Sequence, residues 1–276
     1  MNFLRGLMLG QYVPAESPVH RLDPRTKLLG TMWLVGVVFG TRSLAGLAVL
    51  TAFLAGVLAA GRIGPAYALR GLRPVFWLVG IAVVFQVVFG DSGGHVLFRR
   101  GPLVVTRENL AAGVFYGYRL ILLVAATTVM TFTTSSVELT DGLERLLRPF
   151  RRVGVPAHEL ALMMTIALRF IPTLFEETET IMKAQMARGA EFTRGSLAAR
   201  ARALIPLLVP LFVGAFRRAD ALALAMEARG YRGGEHRTRM KELRVAIRDY
   251  VAAGALLLVA AVVLVPPSLW RAVVGR

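Results

Sequence analysis

The stretch that decides the fold is LILLVAATTVMTFTTSSV, residues Leu120–Val137, which contains no charged residue. A helix needs about 20 apolar residues to cross a bilayer, and this run shows no period-two alternation of polar and apolar residues. It therefore predicts a membrane-spanning helix, extended backwards over Leu110–Tyr118 if Arg119 can place its charge among the headgroups. Further uncharged runs of similar length predict three more spans at Ser43–Gly61, Pro74–Gly90 and Tyr250–Trp270.

The composition also favours a membrane protein. Of the 276 residues, 55% are hydrophobic and 18% are charged, whereas a soluble domain carries about 25% charged residues. The 33 basic residues exceed the 17 acidic ones, which gives a net charge of +16, and there is no cysteine. These values argue against an ordinary soluble enzyme, a disordered chain, a disulfide-stapled fold and a DNA-binding domain.

The distribution of Lys and Arg predicts the topology. A shorter uncharged run, extended to Thr26–Thr41, is taken as the first of five spans. A cytoplasmic N-terminus then places most of the basic residues inside, as the positive-inside rule requires. We predict an all-α, multi-pass protein of the cytoplasmic membrane. Its parts are a cytoplasmic N-terminal arm (1–27), four spans (28–137), a cytoplasmic helical interval (138–249), a fifth span (250–270) and a C-terminal tail (271–276).

The interval 138–249 is predicted to form three helices. Ser135 and Glu138 have the spacing of a capping box that starts the first helix, and Gly154 with Pro156 ends it. The apolar side chains of this first helix fall on one face at Leu139, Leu143, Leu146, Leu147 and Phe150. Arginines occupy the remainder of its surface at positions 145, 148, 151 and 152.

The second and third helices of the interval are long. The second is predicted from about Pro156 to Arg188, with a bend at Pro172. The third runs from about Leu197 to Arg229 and contains the uncharged run Ala203–Phe216, which two prolines interrupt. We interpret that run as a buried or partner-facing helix, and a sixth span is the alternative.

Both long helices end in the same tripeptide, Ala187-Arg188-Gly189 in the second and Ala228-Arg229-Gly230 in the third. One interpretation is ordinary helix termination, because a cation suits the last turn and glycine suits the residue after it. The other interpretation is functional, because a guanidinium can bind a carboxylate through two parallel hydrogen bonds. Two such ends would fit a partner with two equivalent acidic grooves.

The residues that ATP hydrolysis or metal binding would require are missing from the sequence. No Gly-Lys-Ser/Thr sequence is present, so there is no P-loop for ATP, and the four histidines are scattered without a metal-binding spacing. The sequence therefore predicts no metal, no cofactor and no nucleic-acid partner. A threonine cluster at 127–134 is the one hint of a polar stripe along a span. An integral membrane enzyme or a channel-like protein without ATPase partners is the alternative function.

Three segments carry a resemblance to a known family. They are Gly10–Pro14 with Ser17–Lys27, the segment Arg169-Phe170-Ile171-Pro172 followed by Glu176-Glu177, and the two Ala-Arg-Gly helix ends. In this order and spacing the chain resembles the transmembrane T component of energy-coupling factor transporters, whose relatives include the cobalt-transport CbiQ type.

The resemblance implies a non-catalytic membrane scaffold that carries coupling helices within 138–249. Two ABC-type ATPase subunits would bind at Arg188 and Arg229, and a substrate-binding S component would carry a vitamin or a transition-metal ion. The neighbouring Ala187, Gly189, Ala228 and Gly230 would keep both helix ends slim enough to enter the ATPase grooves. We further expect the apolar faces near Leu139–Phe150 and Ala203–Phe216 to contact the S component.

The segment Asp23-Pro24-Arg25 has a structural interpretation beside the family one. Asp and Pro are favoured at the first positions of a helix, so they are expected to start the first span. Arg25 and Lys27 are then expected to anchor that span among the lipid headgroups.

Overall fold

The structure is a computed structural model, and it describes residues 15–90, 96–100, 103–190, 192, 196–233 and 245–264. The expected Gly10–Pro14 segment and the C-terminal tail lie outside these residues. The chain divides into two compact units. Within the described residues, the membrane unit comprises 15–142 and 245–264, and the crossed-helix unit comprises 143–233.

Helices dominate the described part of the chain. Three helices precede a two-stranded antiparallel ribbon: α1 (Pro24–Gly40), α2 (Leu44–Ala60) and α3 (Pro65–Phe89). The ribbon consists of β1 (Val96–Arg100) and β2 (Leu103–Thr106). After it come α4 (Arg107–Thr133), α5 (Ser136–Leu147), a 3₁₀ helix (Arg148–Val153), α6 (Ala157–Ala187), α7 (Leu197–Ala228) and α8 (Ile247–Leu264). The all-α class is confirmed, and the ribbon is an addition that the apolar runs did not predict.

Among the described residues, three single helices are long and apolar enough to cross a membrane: Arg107–Thr133, Ala157–Ala187 and Ile247–Leu264. A fourth span results if Leu44–Ala60 and Pro65–Arg73, bent by 119°, are counted as one. The expected first span, α1, has 17 residues, and the apolar part of α3 is the shorter Val75–Phe89. Helix α6 is long enough to span a membrane, and its first half is apolar enough. Length and composition therefore do not distinguish α6 from a membrane span. The cytoplasmic position of 138–249 stays a prediction.

The start of α1 forms as the sequence predicts. The Asp23 carboxylate accepts from the Arg25 backbone N–H at 2.9 Å, and Pro24 occupies the first helical position. A second carboxylate, Asp249 of α8, accepts from the Asp23 backbone N–H at 2.8 Å. Two helices far apart in sequence are therefore joined through a cap.

The expected headgroup role of Lys27 is wrong. Its ammonium group donates to the backbone oxygens of His20, at 2.9 Å, and Thr133, at 2.7 Å, and the residue is 7% exposed. Arg25 turns back onto Asp23, with N–O distances of 3.1 and 2.9 Å. Lys27 reaches the Thr133 carbonyl because the N-terminus of α1 lies against the end of α4, whereas Arg25 pairs with the nearby Asp23 carboxylate.

The core of the membrane unit lies among α1, α2, α4 and α8, around Val38, Leu47, Leu50, Leu122 and Val263. Helices α3 and α4 approach closely, because a Cβ on Gly117 would lie 2.7 Å from Val83 Cγ2 and one on Gly113 3.2 Å from Val87 Cγ2. Gly113 and Gly117 form a small-xxx-small pattern on one helix face, which favours close helix packing in membranes.

Two polar features of α4 form hydrogen bonds within the protein. The hydroxyls of Thr127, Thr131 and Thr133 each bond a carbonyl one turn back in α4 itself. Arg119 donates to the Thr41 carbonyl and lies 4.8 Å from the Phe115 ring centroid. Arg119 therefore turns towards the protein rather than reaching the headgroups, and the three hydroxyls donate to carbonyls of their own helix.

The capping box at the start of α5 is confirmed. The Glu138 backbone N–H donates to the Ser135 hydroxyl at 3.2 Å, and the Ser135 backbone N–H donates to the Glu138 carboxylate at 3.3 Å. The α-helix ends at Leu147 and continues as a tighter 3₁₀ helix. Pro149 explains this change, because proline removes a backbone donor and crowds the preceding turn of an α-helix. The expected stop at Gly154 is present, with φ +88°.

Candidate functional site: two arginine-tipped helices

Helices α6 and α7 meet at an ion pair between Glu177 and Arg218, whose side chains are about 31% and 28% exposed. The backbones come close there, because a Cβ on Gly214 would lie 2.8 Å from the Glu177 Oε1 atom. Glu177 and Arg218 are separated by 41 positions, the same offset that separates Arg188 from Arg229. Each arginine therefore follows the ion pair by the same stretch of chain, equivalent to about 16 Å of helix.

The two helices point in opposing directions from this ion pair. If they ran the same way, the chain from Arg188 to Leu197 would have to bridge roughly 48 Å, whereas a segment of that length reaches only about 30 Å when extended. A cavity of about 470 Å³ supports this direction, since Leu162 and Ile166 of α6 line it together with Leu222 and Met226 of α7. The two arginine-bearing ends consequently lie on opposite sides of the crossing, on the order of 30 Å apart.

The end of α6 is a Schellman motif, in which the chain reverses through a left-handed residue. The Ala190 backbone N–H donates to the Gln185 oxygen at 3.0 Å, and the Gly189 N–H donates to the Met186 oxygen at 3.0 Å. Gly189 has φ +88°, a conformation that glycine adopts without the steric cost of a Cβ. Arg188 occupies the capping position just before it.

The end of α7 repeats this geometry bond for bond. The Tyr231 N–H donates to the Met226 oxygen at 3.0 Å, and the Gly230 N–H donates to the Glu227 oxygen at 2.9 Å. Gly230 has φ +72°. A similar turn closes the 3₁₀ helix, where Val155 N–H donates to Phe150 oxygen at 3.3 Å, but Val153 precedes the glycine there. The turn alone therefore does not require arginine.

All six residues of the paired tripeptides, Ala187, Arg188, Gly189, Ala228, Arg229 and Gly230, are exposed. Within the part of the chain that the structure describes, neither Arg188 nor Arg229 makes an ion pair or a side-chain hydrogen bond. A Cβ on Gly189 or Gly230 would meet nothing within 4 Å. Within the chain, the positive φ alone explains why glycine occupies both positions. The small size of the residues at these ends would therefore matter only for a partner that binds there.

The two ends differ in their surroundings. The cavity between α6 and α7 opens beside Arg229 and is also lined by Gly230, Tyr231, Arg232 and Gly233. At the end of α6 the corresponding residue after the glycine is Ala190, where α7 has Tyr231. The end of α7 thus places the Arg229 guanidinium and the Tyr231 ring beside a cavity lined by apolar side chains.

Comparison with known proteins agrees with this geometry. The family described as CbiQ, cobalt transport protein, matches residues 15–240, which include both long helices and both arginine-bearing ends. The chain belongs to the CbiQ family. Its membrane helices are those of a transport protein component, as expected from the resemblance.

Several relatives of this CbiQ-family chain are named energy-coupling factor transporter transmembrane protein EcfT. The protein of Thermosediminibacter oceani is 52% identical over 256 residues, covering 92% of this chain and 96% of the relative. That of Brevibacillus brevis is 46% identical over 268 residues, with coverage of 97% and 99%. That of Bacillus subtilis is 45% identical over 255 residues, with coverage of 92% and 96%.

The ion pair between the helices was missed by sequence reasoning, although a signal for it exists. The offset that relates the two arginine-bearing ends of this CbiQ-family member also places Glu176-Glu177 against Arg217-Arg218. Opposite charges at equivalent positions of two similar helices indicate that the helices face each other there.

Proposed function

We propose that the chain is the non-catalytic transmembrane component of an energy-coupling factor transporter. In this role it binds two ABC-type ATPase subunits and a substrate-binding S component in the cytoplasmic membrane, with its N-terminus in the cytoplasm. The cargo carried by the S component is a vitamin or a transition-metal ion. Coverage above 90% of relatives named EcfT supports the assignment to this class of component.

The observation that carries the proposal is the equivalence of Arg188 and Arg229. Both are exposed, both cap a Schellman turn, and both lie equally far along the chain from the same ion pair. Among the described residues neither guanidinium pairs with a carboxylate, so both are available for bidentate binding to carboxylates of a partner. Two such groups on the order of 30 Å apart suit two separate ATPase subunits rather than one.

The mechanism that follows is mechanical. ATP binding draws the two ATPase subunits together, and each subunit moves the helix end that it holds. Because α6 and α7 are joined at Glu177 and Arg218, moving both ends changes the angle at which the helices cross. This change reorients the S component so that its cargo reaches the cytoplasm.

The surface offered to the S component is the apolar side of α7. Seven residues within the run 203–216 are between 44% and 67% exposed: Leu204, Ile205, Leu208, Val209, Phe212, Val213 and Phe216. Such a continuous apolar patch marks an interaction surface. Leu139, in the first helix of the interval, is exposed as well.

The test is assembly and transport by the complete complex. Arg188→Glu combined with Arg229→Glu, co-expressed with the ATPase and S subunits, should abolish ATPase co-purification and substrate uptake, because each carboxylate would meet an acidic groove. The matched control reverses two other exposed arginines of α7, with Arg202→Glu and Arg217→Glu. Normal assembly and uptake in the first double variant would refute the proposal, and retained assembly in the control is expected.

A further inference from the structure

A second basic feature lies between α5 and α6, separate from the two helix ends. We define the arginine cluster as Arg145, Arg148, Arg151 and Arg152. Together with Pro149, these four residues line one concavity of about 630 Å³. Arg148 and Arg152 offer guanidinium groups on this concave surface to phosphate, which guanidinium binds through paired hydrogen bonds, whereas Arg145 and Arg151 also interact within the chain.

The 3₁₀ helix Arg148–Val153 is amphipathic. Side chains three residues apart eclipse each other on a 3₁₀ helix, so Phe150 and Val153 share one edge, and Arg148 and Arg151 share another. Phe150 is 55% exposed and Val153 is 81% exposed. An apolar edge beside a basic edge is typical of segments that lie in the interface of a bilayer.

The position of the cluster in the chain favours a lipid over an acidic protein. Arg145 lies in α5, the helix that directly follows the membrane-crossing candidate Arg107–Thr133. Juxtamembrane arginines are attracted by the negative surface of anionic phospholipids. An acidic protein groove would satisfy the arginines but gives no reason for the two exposed apolar side chains, whereas a bilayer surface satisfies both.

We propose that the arginine cluster binds the phosphate groups of anionic phospholipids, with Phe150 and Val153 inserted among the headgroups. The cluster thereby fixes the start of the crossed-helix unit to the bilayer surface. This role is independent of the ATPase contacts proposed for Arg188 and Arg229, and it concerns lipid composition rather than nucleotide.

The chain's lack of cysteine allows a direct test. Val153→Cys is labelled with an environment-sensitive fluorophore, and the full chain is placed in nanodiscs of phosphatidylcholine alone or with phosphatidylglycerol. We expect a blue-shifted emission and quenching by doxyl-labelled lipid when phosphatidylglycerol is present, both reversed by high salt. A label at Leu224→Cys, 70% exposed on α7, should show no dependence on phosphatidylglycerol.

Charge variants decide whether the cluster is responsible. Arg148→Gln with Arg152→Gln should raise the phosphatidylglycerol fraction needed for half-maximal quenching by on the order of tenfold, because each arginine adds substantially to the attraction. Arg202→Gln with Arg217→Gln removes the same charge from α7 and should leave the fraction unchanged.

Two results would overturn the inference. One is quenching at Val153 that is the same with and without phosphatidylglycerol. The other is a label that is shielded only when the partner subunits are added to phosphatidylcholine nanodiscs, which would assign the cluster to a protein surface. Both readouts leave ATPase co-purification untouched, so they are distinct from the test of the two helix ends.

Discussion

The membrane unit and the crossed-helix unit use their side chains in opposite ways. In the membrane unit, charged and polar residues such as Asp23, Lys27, Asn109 and Asp249 are buried and bonded internally. In the described residues of the crossed-helix unit, the buried set consists of Ala157, Ala161 and Leu207, and large apolar side chains face outwards. The membrane unit thus specifies its own packing, whereas the crossed-helix unit presents surfaces that other molecules complete.

The largest difference in stability between variants of the two units is expected when the buried Lys27 and the exposed Lys183 are each replaced. Lys27→Met leaves the carbonyls of His20 and Thr133 without their donor and removes the cation near Asp23 and Asp249. We expect a loss of about 3 kcal/mol in the free energy of unfolding, measured as a fall in the thermal unfolding temperature in detergent.

The control for this variant is Lys183→Met in α6. Lys183 and Glu179 form an ion pair at 2.9 Å, with side chains 58% and 41% exposed, so its loss should cost less than about 0.5 kcal/mol. Equal losses in the two lysine variants would contradict the comparison between the units.

A second, intermediate effect is expected at the glycines of the membrane unit. Gly117→Ala would place a Cβ 2.7 Å from Val83 Cγ2, so α3 and α4 must separate, at a cost of about 2 kcal/mol. Gly80→Ala on α3 meets nothing within 4 Å and should be neutral or slightly stabilising, because alanine favours helix. Thermal unfolding of both variants measures the difference, and a destabilised Gly80→Ala together with an unaffected Gly117→Ala would show that this packing is not limiting.

A small effect on stability is expected at the crossing of α6 and α7. Arg218→Glu sets a second carboxylate against Glu177, but the two side chains of the native pair are 28% and 31% exposed, so we expect a change of less than about 1 kcal/mol. Transport should respond more strongly, because the crossing holds both helix ends in register. The swap Glu177→Arg with Arg218→Glu should restore uptake, and a swap as impaired as the single variant would show that the pair does not orient the helices.

Signals within a few residues were predicted well from the sequence. The start of α1 at Asp23-Pro24, the capping box of Ser135 and Glu138, and the ends of α6 and α7 all appear where the sequence indicates. The two helix starts depend on a side chain that binds a backbone N–H within one turn, and the two helix ends depend on a glycine with positive φ. The local sequence contains all of this information. The roles of the two helix ends towards ATPase subunits remain predictions.

Contacts between distant residues were not predictable in the same way. The Asp249 carboxylate binds the Asp23 N–H across 226 positions, and Lys27 binds the Thr133 oxygen across 106. A single sequence gives a lysine beside a span the same appearance whether it faces lipid headgroups or a carbonyl. The small-xxx-small spacing is equally ambiguous, because Gly36 and Gly40 share it with Gly113 and Gly117, yet a Cβ on Gly36 would meet nothing within 4 Å.

The equal distance from the ion pair to each arginine has a consequence for how the unit moves. The helix segments from the ion pair of Glu177 and Arg218 to Arg188 and to Arg229 are equally long, at about 16 Å each. In the proposed complex, two helix segments of equal length would give both ends the same displacement when the ATPase subunits move them. One alanine inserted between Arg218 and Arg229 would lengthen this helix segment by only about 1.5 Å but would rotate Arg229 about the helix axis by about 100°. The shared offset of 41 positions therefore preserves the direction in which each arginine points around its helix axis, more than its distance from the ion pair.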